Sequence, residues 1–177
     1  MNVRHILSTL AGEVRQYKLP AVLTPVFVVL EVLMEVLIPF VIADLIDKGV
    51  EMGNYAVVAE DGVILIILAL LALLFGIIAG KTSADASAGF AKNLRRAVFT
   101  NVQKFSFANI DKYSPPSLIT RMTTDITNIQ NSFMMMIRVA IRSPVMFLAS
   151  FIMVLIINPE MALIFASVVP ILGLGVG

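Results

Sequence analysis

The sequence predicts an all-α membrane protein: a short amphipathic helix, three full spans, an incomplete fourth, and one long cytoplasmic hairpin. Three observations predict it. Residues of the AVILMFWYC set make up 59 % of the 177 residues and charged residues only 14 %, against about 45–50 % apolar and about 25 % charged in soluble domains. The apolar residues gather in runs near the ~20 residues that an α-helix needs to cross a bilayer. Lysine and arginine gather on one side of those runs. A soluble chain of this size has no interior large enough for so much apolar surface, because small domains keep a large exposed fraction. Lipid covers the excess.

The elements follow in order. Residues 2–17 form an amphipathic elbow helix: Val3, Ile6, Leu7, Leu10, Val14 and Tyr17 recur at steps of three and four, with Arg4, Glu13 and Arg15 on the other side. Such a helix lies in the headgroup region. No apolar core followed by a small-residue cleavage site marks a signal peptide. The first span covers 20–43 and is interrupted by Glu31 and Glu35. A polar, acidic stretch (Asp44, Asp47, Lys48, Glu51, Glu60, Asp61) precedes the second span at 63–80, which continues as a cytoplasmic helix to about 108. Tyr113-Ser114-Pro115-Pro116 marks a loop, since proline is tolerated at a helix start and not inside it. A polar helical segment resumes near Ser117 and becomes apolar after Phe133, and the third span occupies 139–157. Asn158-Pro159-Glu160 is a tight turn, and a fourth apolar run fills 161–177. That run predicts an amino-terminal part of a longer protein.

Topology follows from the basic residues. Arg4, Arg15 and Lys18 precede the first span, and Lys81, Lys92, Arg95, Arg96, Lys104, Lys112, Arg121, Arg138 and Arg142 lie between the second and third. The opposite side holds only Lys48. By the positive-inside rule the amino terminus and the hairpin of this multi-pass protein are cytoplasmic, and the plasma membrane is its expected location. Arg138 and Arg142 are expected to reach the cytoplasmic interface with their long stems.

Several chemistries are excluded. The chain has no cysteine and a single histidine, His5, in its polar amino-terminal segment. Disulfides, thiol or histidine nucleophiles and thiolate metal sites are therefore not expected, and neither catalytic nor metal-binding residues are assigned. No G-x-x-x-x-G-K-[S/T] loop occurs, so this chain has no cradle for ATP phosphates and no cofactor of its own. No nucleic-acid partner is expected.

The hairpin, roughly 81–138, lacks the Gly/Ser composition of a flexible linker. Phe90, Leu94, Val98, Val102 and Phe105 fall near one stripe. Gly80, Ala84 and Ala88 recur every four residues, the spacing that lets helices approach closely. Phe133-Met134-Met135-Met136 reads as packing ahead of the alternative, an adaptable apolar surface of the kind promiscuous binders use. At the tip, Leu118-Ile119-Thr120-Arg121-Met122-Thr123-Thr124-Asp125 is followed by Ile129-Gln130. This pattern resembles the first intracellular loop of ATP-binding cassette (ABC) exporters, and the order of elbow, spans and hairpin is similar over nearly the whole chain. The multidrug-type half-transporters, including those that pair as heterodimers, are the most similar. Pro116 stands where the family often has glycine, and a proline at the helix start keeps the short helix defined.

The resemblance implies the amino-terminal part of a type I ABC exporter transmembrane domain. It implies export of drugs, lipids or other amphipathic compounds by alternating access, with ATP and Mg used by nucleotide-binding domains outside this chain. The full-length protein would then be an ATP-hydrolysing translocase. Implied partners are the lipid bilayer, the nucleotide-binding domains, a second half-transporter (a heterodimer before a homodimer) and a hydrophobic or amphipathic substrate. It assigns a coupling helix to 114–122, docked on a nucleotide-binding domain through Ser114, Ser117, Leu118, Ile119, Thr120, Arg121 and Met122. Asp125 is expected at the positive end of the ascending helix. Glu31 and Glu35, four apart and so on one helix face, are candidates for lining the translocation cavity or for pairing with a neighbouring helix. Two other readings stand beside this one: a non-transporting membrane subunit that docks a soluble partner through the hairpin, and a secondary transporter, which would show repeated halves with broken helices. No internal repeat is seen.

Overall fold

The computed structural model describes residues 12–104, 115–160 and 162. Every regular element among them is helical. A 3-10 turn, Arg15–Tyr17, leads into α1 (Lys18–Asp44), which ends in a π-helical turn, Leu45–Val50. α2 (Tyr55–Val102) runs for 48 residues. α3 (Pro115–Thr120) passes through a second π-helical turn, Arg121–Asp125, into α4 (Ile126–Ile157). Helix is the form that satisfies every backbone group within its own segment, as hydrocarbon requires. Three stretches, Arg15–Val50, Tyr55–Val102 and Pro116–Ile157, are long and apolar enough to cross a membrane. They carry the three expected spans. Residues 2–11 of the elbow and all of 161–177 but Ala162 lie outside the described residues.

The turn between α1 and α2 is tighter than the polar sequence suggests. α2 starts at Tyr55, so Glu60 and Asp61 are helical. Two residues set this start. Gly53 takes a φ of 64°, a left-handed conformation open to a residue without Cβ. Asn54 caps the helix, its Oδ1 accepting the Ala56 N–H at 3.2 Å. Prolines inside the long helices (Pro25 and Pro39 in α1, Pro144 in α4) each delete a donor, which spans tolerate better than soluble helices.

The chain divides into two compact units, Met1–Phe27 with Ile77–Ala140, and Val28–Gly76 with Ile141–Gly177. In the first, the start of α1 and the second half of α2 meet through small residues. Ala79, Ser83, Ser87 and Ala91, spaced by four, are all at most 1 % exposed. This corrects the expected stripe, because Ala84 and Ala88 face outward. A spacing of four fits both rows, which differ by one residue. The serines win because each satisfies its hydroxyl on its own helix: Ser83 donates to the Gly80 carbonyl at 2.8 Å and Ser87 to that of Ala84 at 3.1 Å. Thr24, fully buried, donates to Thr82 Oγ1 at 2.9 Å, and Thr82 donates on to the Ile78 carbonyl. Tyr17 lays its ring on Gly89, where any Cβ would overlap it. Phe90, 2 % exposed, packs on Phe133 with ring centroids 4.7 Å apart, a spacing favourable for tilted rings.

In the second unit the first half of α2 presents Ile66, Leu70 and Leu73 outward along one stripe, the surface expected to meet lipid or further spans. Its inward contacts include a charged cluster.

Candidate functional site

Two sets of residues carry the functional expectations: the loop-end helix and the acids of the first span. The loop-end helix opens on Pro115 and Pro116, whose missing N–H groups cost nothing in a first turn. Thr120 donates to the Pro116 carbonyl at 3.1 Å, Thr123 to that of Ile119 at 2.8 Å, and Thr127 to that of Thr123 at 2.9 Å. Such back-bonding threonines bend helices, and here they flank the wide turn Arg121–Asp125. Single π turns inside α-helices are frequent at functional sites. Arg95 on α2 reaches Thr127 Oγ1 at 3.4 Å.

Of the expected coupling residues, Ile119 is 62 % exposed and Thr120, Arg121 and Asp125 are exposed beside it. Ser117, Leu118 and Met122 are half-buried, and Ser114 lies outside the described residues. Only Ile119 among the three apolar knobs projects fully. Asp125 does not sit at a free helix start. The π turn carries helical backbone from α3 into α4, and the Ile126 N–H already donates to the Thr123 carbonyl. The positive end of this helix is therefore at Pro115 rather than beside Asp125.

Glu31 and Glu35 share one cation. Arg142 donates from one guanidinium nitrogen to Glu31 Oε1 at 2.6 Å and from the other to both Glu35 oxygens at 2.7 Å. Arg142 thus turns to the two acids of α1 instead of reaching for the interface. These short distances are those of charge-assisted bonds, and the forked guanidinium suits two carboxylates in a way a lysine does not. Glu31 is 8 % exposed, and its Oε2 has no hydrogen-bond partner among the described residues. Gly76 of α2 covers that carboxyl: a Cβ there would stand 3.0 Å from Glu31 Oε1. Two carboxylates against one guanidinium leave the triad one negative charge in excess.

Sequence reasoning missed Arg142 as the partner. The available signal was arithmetic: two acids four apart in one apolar helix need a cation from another, because unpaired intramembrane charges are costly. Among the described residues no group of three or more metal-ligating side chains comes together.

Comparison with known proteins places the chain. Residues 22–176 match the family described as the ABC transporter transmembrane region. The chain is 28 % identical over 158 residues to the ABC transporter ATP-binding protein YfiB of Bacillus subtilis, covering 89 % of this chain and 28 % of that protein. An ABC transporter ATP-binding protein of Mycobacterium tuberculosis is also 28 % identical over 158 residues, with 89 % of this chain and 27 % of the relative covered. The mitochondrial potassium channel ATP-binding subunit of Rattus norvegicus is 31 % identical over 87 residues, 49 % of this chain and 12 % of that protein. The chain thus spans little more than a quarter of the length of the first two. With helices α1, α2 and α4 long enough to cross a membrane and the match running through all of them, the chain belongs to the ABC transporter transmembrane family.

Proposed function

We propose that this chain is the membrane-spanning part of an ATP-driven exporter that moves amphipathic compounds out of the cytoplasm by alternating access. The observation that carries the reading is the loop-end helix: an exposed Ile119, flanked by exposed Thr120 and Arg121, at one end of a helical stretch that runs on to Ile157. An apolar side chain with polar neighbours suits docking into a groove of a soluble domain, with polar groups fixing orientation. That domain would be a nucleotide-binding domain, and ATP-driven closure would draw the 114–122 segment with it. Nucleotide and substrate then bias inward- and outward-facing states through their differential affinity for each. A second half-transporter, a different chain or a copy of this one, completes the pathway in the plasma membrane.

Within this reading Glu31 and Glu35 present their excess negative charge to cationic substrates, with Arg142 holding the two carboxylates in place. The test uses the full-length protein in proteoliposomes. Ile119→Asp with Arg121→Glu should cut transport about tenfold or more while ATP binding persists, since a buried charge at a docking centre costs several kcal/mol. Transport at the unaltered rate would sink the coupling role. In the same assay Glu31→Gln with Glu35→Gln should lower export of cationic relative to neutral dyes. An unchanged ratio counts against the cavity role.

A further inference from the structure

The acid pair of the second unit holds one acceptor that its arginine does not use. Of the four carboxylate oxygens, Arg142 bonds three: Glu31 Oε1 at 2.6 Å and both Glu35 oxygens at 2.7 Å. The fourth, Glu31 Oε2, is buried and has no hydrogen-bond partner among the described residues. We infer that this oxygen, with the surplus negative charge, selects amphipathic monocations that carry an N–H. Protonated primary, secondary and tertiary amines are then bound ahead of quaternary ammonium compounds of the same charge. The inference rests on the proposed role of the two acids toward cationic substrates and names the class within it.

Charge sets the valence. Two carboxylates against one guanidinium leave a surplus of one, and the next acid of α1, Asp44, is nine residues past Glu35 and already paired with Lys48. A single positive charge restores neutrality at the triad. A dication leaves a positive charge unpaired in an apolar setting, which is costly. Hydrogen bonding sets the kind of cation. An ionised carboxylate only accepts, and a buried acceptor without a donor carries its full desolvation cost. The neighbouring helix offers no donor: α2 lies against this carboxyl at Gly76, and its run 63–80 contains no side chain with an N–H or O–H. An ammonium ligand with an N–H supplies the missing bond. A quaternary nitrogen shows the same oxygen only methyl groups.

Exposure and size point the same way. The Glu35 and Arg142 side chains keep 29 % and 35 % of their exposure, so the triad is approached from their side. At position 76 glycine keeps the far side uncrowded, since a Cβ there would stand 3.0 Å from Glu31 Oε1 and 3.7 Å from Oε2. A lone N–H group fits so close an approach better than three methyl groups do. Sites that hydrogen-bond a ligand reject the analogue lacking the donor, because the buried partner is then left unpaired. Arg142 contributes in two ways: it fixes the surplus at one charge and occupies every other oxygen of the pair.

The test is equilibrium binding to the full-length protein in nanodiscs, with binding to empty nanodiscs subtracted. The probes are N,N-dimethyldodecylamine, dodecyltrimethylammonium and dodecanol, which share one tail. At neutral pH the first two each carry one positive charge, and only the amine keeps an N–H. The amine should bind about tenfold more tightly than the quaternary compound, the scale of a hydrogen bond to a charged group. The quaternary compound should in turn bind more tightly than dodecanol. Glu31→Gln removes the surplus charge and turns one oxygen into a donor, so amine and quaternary compound should then bind alike. Glu35→Gln leaves the unpaired Glu31 oxygen in place and should keep the amine ahead. Equal affinity for amine and quaternary compound overturns the inference, and where both exceed dodecanol the reading of the acids as cation-facing still stands. Equal affinity for all three probes overturns that reading as well. An amine preference that survives Glu31→Gln undiminished overturns the assignment to this oxygen. The comparison of the three probes on the unaltered protein decides the matter even where a variant fails to fold.

Discussion

The two compact units hold their helices together by opposite means. In the first, Ala79, Ser83, Ser87 and Ala91 let α2 come close to its neighbours, and each serine hydroxyl is satisfied on its own helix. In the second, Arg142 of α4 is gripped by two acids of α1. The small-residue contact asks of a partner only that it be close, so its energy is spread over many weak dispersion contacts. The charged contact asks for one partner at one register, and losing that partner leaves an uncompensated charge in an apolar setting. One contact tolerates sliding, whereas the other defines a position.

The largest test of this contrast removes the cation. Arg142→Ala should destabilise the full-length protein by about 3 kcal/mol, at the low end for breaking a buried pair because the Arg142 side chain keeps 35 % of its exposure. Adding Glu31→Gln and Glu35→Gln should restore most of the loss. A thermal-unfolding midpoint that the triple variant fails to recover would show that packing, and not charge, carries the effect. Next comes the close approach at Gly89. Gly89→Leu drives a side chain into the Tyr17 ring and should cost about 1–3 kcal/mol, the range for overpacking. Tyr17→Ala in the same chain should recover part of it, whereas Ala88→Leu, on the exposed face, should change the midpoint little. The smallest effect belongs to the hydroxyl pair. Thr24→Val removes one interhelical hydrogen bond and should cost only about 0.6 kcal/mol, the average for such bonds between spans. A loss several times greater would mean that the neutral contact is as specific as the charged one.

Much of the architecture was legible because hydrocarbon imposes it. The apolar runs at 20–43, 63–80 and 139–157 each need a helix, and the three long apolar helices carry them. Register was harder. Gly80, Ala84 and Ala88 look like a packing stripe to any rule that counts glycine and alanine, yet Ser83 and Ser87 are equally small and hide their polarity by bonding back. Arg142 looked like an interfacial arginine because it falls near one end of its apolar run. Its pairing depends on which face of α4 meets α1, a tertiary fact that helical periodicity does not contain. The residues of the loop-end helix were legible from their similarity to a family, but the wide turn within it was not. Nothing in Arg121-Met122-Thr123-Thr124-Asp125 distinguishes a π from an α turn by propensity.

That wide turn has a geometric consequence for aim. A π turn holds one residue more than the α turn it replaces, and each α residue turns the helix by about 100°. Everything ahead of Arg121–Asp125 is therefore rotated by about that angle from where an uninterrupted α-helix would put it. The compass bearing of Ile119 relative to Ile126 and Phe133 is set by this surplus residue. The helix is a keyed shaft here, its end face indexed by a single notch, so the bearing of Ile119 is set by backbone geometry alone.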